Sequence, residues 1–172
     1  FVFDFSSLWR RGVFRRGGDL FVLCYILFMQ KGVDYIAVGV SYYCHDGKGK
    51  YLMNKRGIKC RDEHGCWDFG GGGIDFGETV EEAVQRELKE EYCIEDLKYI
   101  FLGFNDNFRE QNGKKVQWIQ FHYLVLVNSE KVKNGEPEKH DEIGWFTLDN
   151  LPEPLHSQTL KELEFYRSKL PQ

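Results

Sequence analysis

The sequence predicts an α+β sandwich in which a mixed sheet is flanked by two helices. Three observations carry this reading: runs of period two, two of them joined to the next run by Asp-Gly or Asn-Gly turns; a capped amphipathic stretch beginning near Val80; and a run of helical spacing near the C-terminal end. Ile36, Val38, Val40 and Tyr42 alternate with Ala37, Gly39, Ser41 and Tyr43, the pattern of a half-buried strand. Asp46-Gly47 then turns the chain, so that Tyr51 to Lys55 returns as its hairpin partner. Thr79 followed by Glu82 forms a capping box that starts a helix near Val80, with Val80, Ala83, Val84 and Leu88 on one face and Glu81, Glu82, Gln85 and Lys89 opposite. Tyr99 to Asn107 and Lys115 to Val127 flank Gln111-Asn112-Gly113, a second hairpin signal, and Ile143 to Thr147 is a short strand. Between Gln158 and Leu170, Leu160, Leu163, Tyr166 and Leu170 recur at helical spacing.

The central helix does not keep a purely apolar inner face. Glu87, Glu90 and Glu91 fall on the azimuth of Val80 and Ala83, so they are expected to point towards the core or a cleft. Three carboxylates placed together repel one another and resist desolvation, and a hard divalent metal with oxygen ligands is the natural way to hold them ionised. Directly upstream, Gly70 to Gly73 follow Trp67-Asp68-Phe69; without Cβ atoms, their backbone can approach a metal or phosphate closely.

Gly72, five residues, Glu78, seven residues, then Arg86-Glu87-Leu88-Lys89-Glu90-Glu91 resembles the Nudix box of the MutT-type pyrophosphohydrolases. Glu136-Pro137-Glu138 leading to Trp145-Phe146 and Leu151-Pro152 is also similar to that family, and the likeness covers residues 29 to 165. It implies a Nudix-type α/β/α sandwich with a mixed β-sheet, and it makes Gly32 to Ile36 resemble the family's first strand. It further implies a Mg²⁺-dependent hydrolase, with Mn²⁺ as a substitute, in which Glu87, Glu91 and Glu90 bind metal together with the Gly72 carbonyl. Glu90 is either a third ligand or the base for the attacking water; Glu138, Asp141 or Glu142 is an alternative base from a distant loop. Arg86, counted with the three glutamates in the catalytic set, pairs with Glu78 to fix the loop that contains Gly71 and Gly73. Two positions depart from the pattern: Cys93 stands where the box has Gly, and Gly70 stands where the common lead-in has Pro. A left-handed helix exit is expected to persist at Cys93.

At 172 residues and 42% hydrophobic content, the chain suits one domain. Its net charge of −4, from 23 basic and 27 acidic residues, argues against a nucleic-acid polymer as partner. Five cysteines, Cys24, Cys44, Cys60, Cys66 and Cys93, include no CxxC pair; they read as reduced thiols of a cytoplasmic protein rather than as a zinc site with His45 and His64. Residues 1–28 stand outside the pattern. Arg10, Arg11, Arg15 and Arg16 precede an apolar run from Leu20 to Met29 that is too short to span a bilayer, which takes about 20 residues. Translation is expected to start at Met29, leaving 1–28 as upstream read-through or an appendage to a 29–172 domain; a short membrane-associating N-terminus is the alternative.

The expected substrate is a nucleotide or another nucleoside diphosphate derivative. The turn at Gly77-Glu78-Thr79 and the lead from Glu136 to Trp145 resemble members that cleave (deoxy)nucleoside triphosphates to monophosphate and pyrophosphate. An ADP-ribose or nucleotide-sugar hydrolase is the alternative enzyme, and a catalytically silent nucleotide-binding module the alternative of another class. Trp67, Phe104, Trp118 and Trp145 are candidates for stacking on a base, with Glu138 as a further substrate contact. A homodimer is compatible with all of these readings.

Overall fold

A computed structural model describes residues 29–96, 98–111 and 113–171. The expectations for 1–28, and the Asn112 part of the second hairpin, lie outside these residues. The strands are β1 (Ala37–His45), β2 (Tyr51–Arg56), β3 (Trp67–Asp68), β4 (Gly71–Gly73), β5 (Lys98–Gln111), β6 (Lys114–Leu126) and β7 (His140–Phe146). Helix α1 spans Val80–Tyr92 and α2 spans Ser157–Tyr166, followed by a 3₁₀ turn at Arg167–Lys169.

The sheet is mixed, ordered β3-β2-β1-β6-β5, with β4 paired to β1 and β7 to β2. β1 runs parallel to β6 along its whole length, from Ala37 beside Trp118 to His45 beside Leu126. On its other edge β1 meets β2 only at His45 and Tyr51, and the glycine strand β4 takes the edge from Gly39 to Ser41. β2 meanwhile diverges to pair with β7 and β3. That split in the sheet leaves a cleft, and the candidate site occupies it.

Each face of the sheet carries one helix and one core. Val40, Tyr42, Cys44 and Leu52 pack against Ala83, Val84, Leu88 and Tyr92 of α1. Tyr43, Tyr51, Met53 and Phe69 pack against Leu163 and Tyr166 of α2 and against Leu170 beyond it. Together these are the α/β/α layers.

Several local expectations are corrected. Gly32 to Ile36 is a turn closed by a bridge between Lys31 and Tyr35, not a strand. β1 is half-buried only at its start: Ile36 and Val38 are exposed, while Val40 to Cys44 are buried on both faces because β1 lies centrally with a helix on each side. β7 begins at His140 rather than Ile143, extended by pairing with Lys55 and Arg56. Leu160 is exposed, since α2 turns only Leu163 and Tyr166 of the predicted set inward. Gly71 to Gly73 form a strand rather than a loop.

Candidate active site

Helix α1 begins with the reciprocal capping box of Thr79 and Glu82 and ends at Cys93, whose φ of 58° is left-handed. In between, Glu87 and Glu91, one turn apart, face inward at 9% and 5% exposure, whereas Glu90, expected inward with them, stands instead at the rim with 49% of its side chain exposed. Burial pushes the Glu91 carboxyl well above the usual range, and the charge of Glu87 adds to the shift although the Tyr42 hydroxyl donates to it. Burial also raises Glu87, against the opposing pull of Arg86.

The glycines make room for these carboxylates. A Cβ on Gly72 would lie 1.9 Å from Glu87 Oε1, and one on Gly70 would lie 2.7 Å from Glu91 Oε2. Gly70 has φ of +91°, which Pro, fixed near −65°, cannot adopt, so its departure from the common lead-in follows from the backbone here. Arg86 clasps the loop: Nε and Nη2 donate to the two Glu78 oxygens at 2.8 and 2.9 Å, Nη2 also donates to the Gly73 carbonyl at 2.9 Å, and Nη1 donates to Glu87 at 2.7 Å and Glu90 at 3.2 Å. The fork thus joins Gly73, Glu78 and α1 into one unit.

Opposite α1, the turn before β7 brings two residues that the sequence reading did not select. Glu136 and His140 present ligand atoms that lie with one from Glu91 within 4.8 Å of one another. His140 is buried, its Nδ1 has no partner among the described residues, and burial lowers its pKa. A neutral imidazole beside two carboxylates suits a divalent cation. Glu136 lay inside the quoted Glu136-Pro137-Glu138 signal, but nothing local marked which of its acids turns inward. Glu138, Asp141 and Glu142 are all exposed.

From this end the cleft, about 390 Å³, runs along the sheet to α2. Trp118 lines it, 9% exposed, with the Arg61 guanidinium 4.7 Å above its ring centroid. Ser41 accepts from the Gln120 amide at 2.8 Å, and Asn107 and Arg109 on the neighbouring strand keep a buried Oδ1 and Nε without partners among the described residues. The roof is the segment from Gly57 to Cys66, pinned through Asp62, which meets Arg56 Nη2 at 2.9 Å and Arg109 Nη2 at 2.8 Å. Burial alone would raise the Asp62 carboxyl, but His156, Arg109, Arg61 and Arg56 together hold it well below the usual range. Glu63 accepts from the Ser157 amide at 2.7 Å and hydroxyl at 2.6 Å, so the roof also caps α2. Glu162 of α2 lines the cleft too, and burial raises its carboxyl to about 8.

None of Trp67, Phe104, Trp145 and Glu138 lines this cleft. Trp67 is buried edge-to-face against Phe146, Trp145 packs on the α1 core, Phe104 lies outside on the edge strand at 64% exposure, and Glu138 is on an exposed turn. Of the four aromatic candidates only Trp118 reaches the cleft.

Comparison with known proteins accords with this geometry. The family model described as the NUDIX domain matches residues 36–167. An ADP-ribose pyrophosphatase of Methanocaldococcus jannaschii is 34% identical over 116 residues, 66% of this chain and 64% of that protein. An oxidized purine nucleoside triphosphate hydrolase of Danio rerio is 31% identical over 110 residues, 58% of each chain. The chain thus spans about three fifths of the length of these two relatives. The crystal structure of a MutT NUDIX hydrolase from Burkholderia pseudomallei superposes with a TM-score of 0.66 at 36% identity, covering 76% of this chain and 97% of that one. The chain belongs to the NUDIX family.

Proposed function

We propose that this NUDIX family member is a Mg²⁺-dependent pyrophosphohydrolase of nucleoside diphosphate derivatives, and that its substrate is a (deoxy)nucleoside triphosphate cleaved to monophosphate and pyrophosphate. The observation that carries it is the meeting, in one cleft, of a buried cluster of carboxylates with an indole platform. Glu87, Glu91, Glu136 and His140, with the Gly72 backbone against Glu87, would hold the metal. Mg²⁺, or Mn²⁺ in its place, would neutralise phosphate charge and acidify a water. Glu90, at the rim and accepting from Arg86, takes the proton of the attacking water. Arg86 positions rather than reacts, since its donors are already engaged by Glu78, Glu87, Glu90 and Gly73. Trp118 stacks on the base, on the face now covered by Arg61. A free nucleotide, rather than a nucleic-acid polymer, suits a cleft of about 390 Å³. The scattered spacing of Cys24, Cys44, Cys60, Cys66 and Cys93, which suits no disulfide framework, supports a reducing, cytoplasmic setting, and among the described residues no helix is long and apolar enough to cross a membrane.

The likeness to an ADP-ribose pyrophosphatase favours ADP-ribose as a second reading. Product analysis with Mg²⁺ separates the two. Deoxynucleoside triphosphates, including oxidised purine forms, should yield monophosphate and pyrophosphate. AMP and ribose 5-phosphate from ADP-ribose alone would establish the second reading, and binding without turnover of any substrate would make the chain a silent nucleotide-binding module.

A further inference from the structure

We propose that Lys139 is a substrate-phosphate ligand whose resting partner is Glu136, released to the phosphates when a divalent ion takes up that carboxylate; this rests on the metal-dependent reading above. Lys139 Nζ lies 2.6 Å from Glu136 Oε1, and Glu136 is one of the three residues clustered within 4.8 Å around Glu91. The two cations therefore share one carboxylate. A dication beside Glu136 repels the ammonium, while the substrate brings several negative oxygens to the same place.

The backbone at Lys139 is fixed and its side chain is free to move. Its amide donates to the Glu136 carbonyl at 2.9 Å, and its own carbonyl accepts from the Gly57 amide at 2.6 Å and from Cys60 Sγ at 3.2 Å. The side chain, 48% exposed, lines the cleft beside Glu87 and Glu91. A lysine on a four-carbon stem binds phosphate as a point charge and can exchange partners without rebuilding a fork. Arg56 and Arg109 are committed to Asp62 or Asp68, which the proposed metal set leaves out, and Arg86, although it shares Glu87 with that set, stays anchored by both Glu78 oxygens and the Gly73 carbonyl. Lys139 differs from these arginines in that its one carboxylate partner among the described residues, Glu136, is itself in the proposed metal set.

The test compares wild type, Lys139→Met, Lys139→Arg and, as a control for general charge loss, Lys59→Met. Mn²⁺ and inorganic tripolyphosphate are the probes, read by calorimetry, with thermal melts to confirm folding. Lys139→Met should bind Mn²⁺ several-fold more tightly in the absence of phosphate, because a competing cation is gone. With Mn²⁺ saturating, it should bind tripolyphosphate about tenfold more weakly, and Lys139→Arg should recover part of that loss. Wild-type constants in Lys139→Met, weaker Mn²⁺ binding, or an equal effect of Lys59→Met on both constants would overturn the assignment. If wild type binds no Mn²⁺, the metal-dependent reading itself fails and this proposal with it; an Mn²⁺-binding wild type with an indifferent Lys139→Met removes only Lys139.

Discussion

At the carboxylate end of the cleft, Gly70 to Glu91 supply the glycine strand, the Glu78–Arg86 clasp and both buried glutamates from one continuous stretch, whereas the Trp118 end is gathered from β1, β5, β6, α2 and the segment around Asp62. The first is held by helix geometry, because residues one turn apart share a face wherever the helix forms. The second is held by a partly buried ion-pair network that joins Asp62 to Arg56 nearby and to Arg109 far along the chain. Function at the first should therefore respond to single side chains with little effect on the fold, and at the second fold and binding should fail together.

The largest contrast is expected at Glu91. Glu91→Gln keeps the shape and removes a buried charge, so the domain should stay folded, without loss of melting temperature in metal-free buffer, while kcat falls by about 10³-fold or more. Stopped-time assays alongside thermal melts would show it, and turnover near wild type would break the comparison at its stronger end. Chelation by EDTA should likewise abolish turnover, and Mg²⁺ should raise the melting temperature by binding the folded state.

Asp62→Asn probes the other end. Arg109 and Arg56 would be left short of a buried counter-charge, at a cost of about 3 kcal/mol, and KM should rise with the loss of stability. Because folding lowers the Asp62 pKa, its stabilisation is present above the unfolded carboxylate value near 4 and is lost as pH falls below it. Urea midpoints from pH 6 down to pH 3 should therefore drop more steeply in wild type than in Asp62→Asn. Parallel curves would mean that Asp62 does not hold the roof.

Glu162 has the opposite sign. Its carboxyl, raised to about 8 by burial, favours folding when protonated, so this contribution is full below the unfolded value near 4 and declines as pH rises towards 8. The slope is at most about 1.4 kcal/mol per pH unit. Glu162→Gln, neutral throughout, should be the more stable protein at pH 8 and should lose that advantage towards pH 5; an advantage independent of pH would rule out the buried acid as its source. The smallest effect belongs to Cys93. With φ at 58°, Cys93→Gly should raise the denaturant midpoint by up to about 1 kcal/mol in stability, and a lower midpoint would contradict the left-handed helix exit.

Legibility in the sequence followed the same division. The capping box at Thr79, the inward turn of Glu87 and Glu91, the Arg86–Glu78 pairing and the β5–β6 hairpin depend on residues a few positions apart, whereas Glu90, expected inward by the same period, stands at the rim, and the Asp46-Gly47 turn leaves β2 beside β1 only at His45 and Tyr51. Glu136 and His140 were missed because a turn and a strand pairing, not a period, aim them at Glu91. Trp67 and Trp145 were misplaced for a related reason. A strand side chain points to one face or the other by alternation, but which face is core and which is cleft depends on the layers stacked above it.

Short-range geometry is enough to set the chain's family pattern, its mixed α+β character and the inward turn of Glu87 and Glu91, though not the rim position of Glu90. Long-range packing is what buries β1 on both faces, splits β2 from it to open the cleft, brings Glu136 and His140 to Glu91, and lets Asp62 tie the roof to Arg56 and Arg109 while Glu63 ties it to α2. Most of those contacts join residues tens of positions apart, and their geometry exists only once the sheet and both helices have packed.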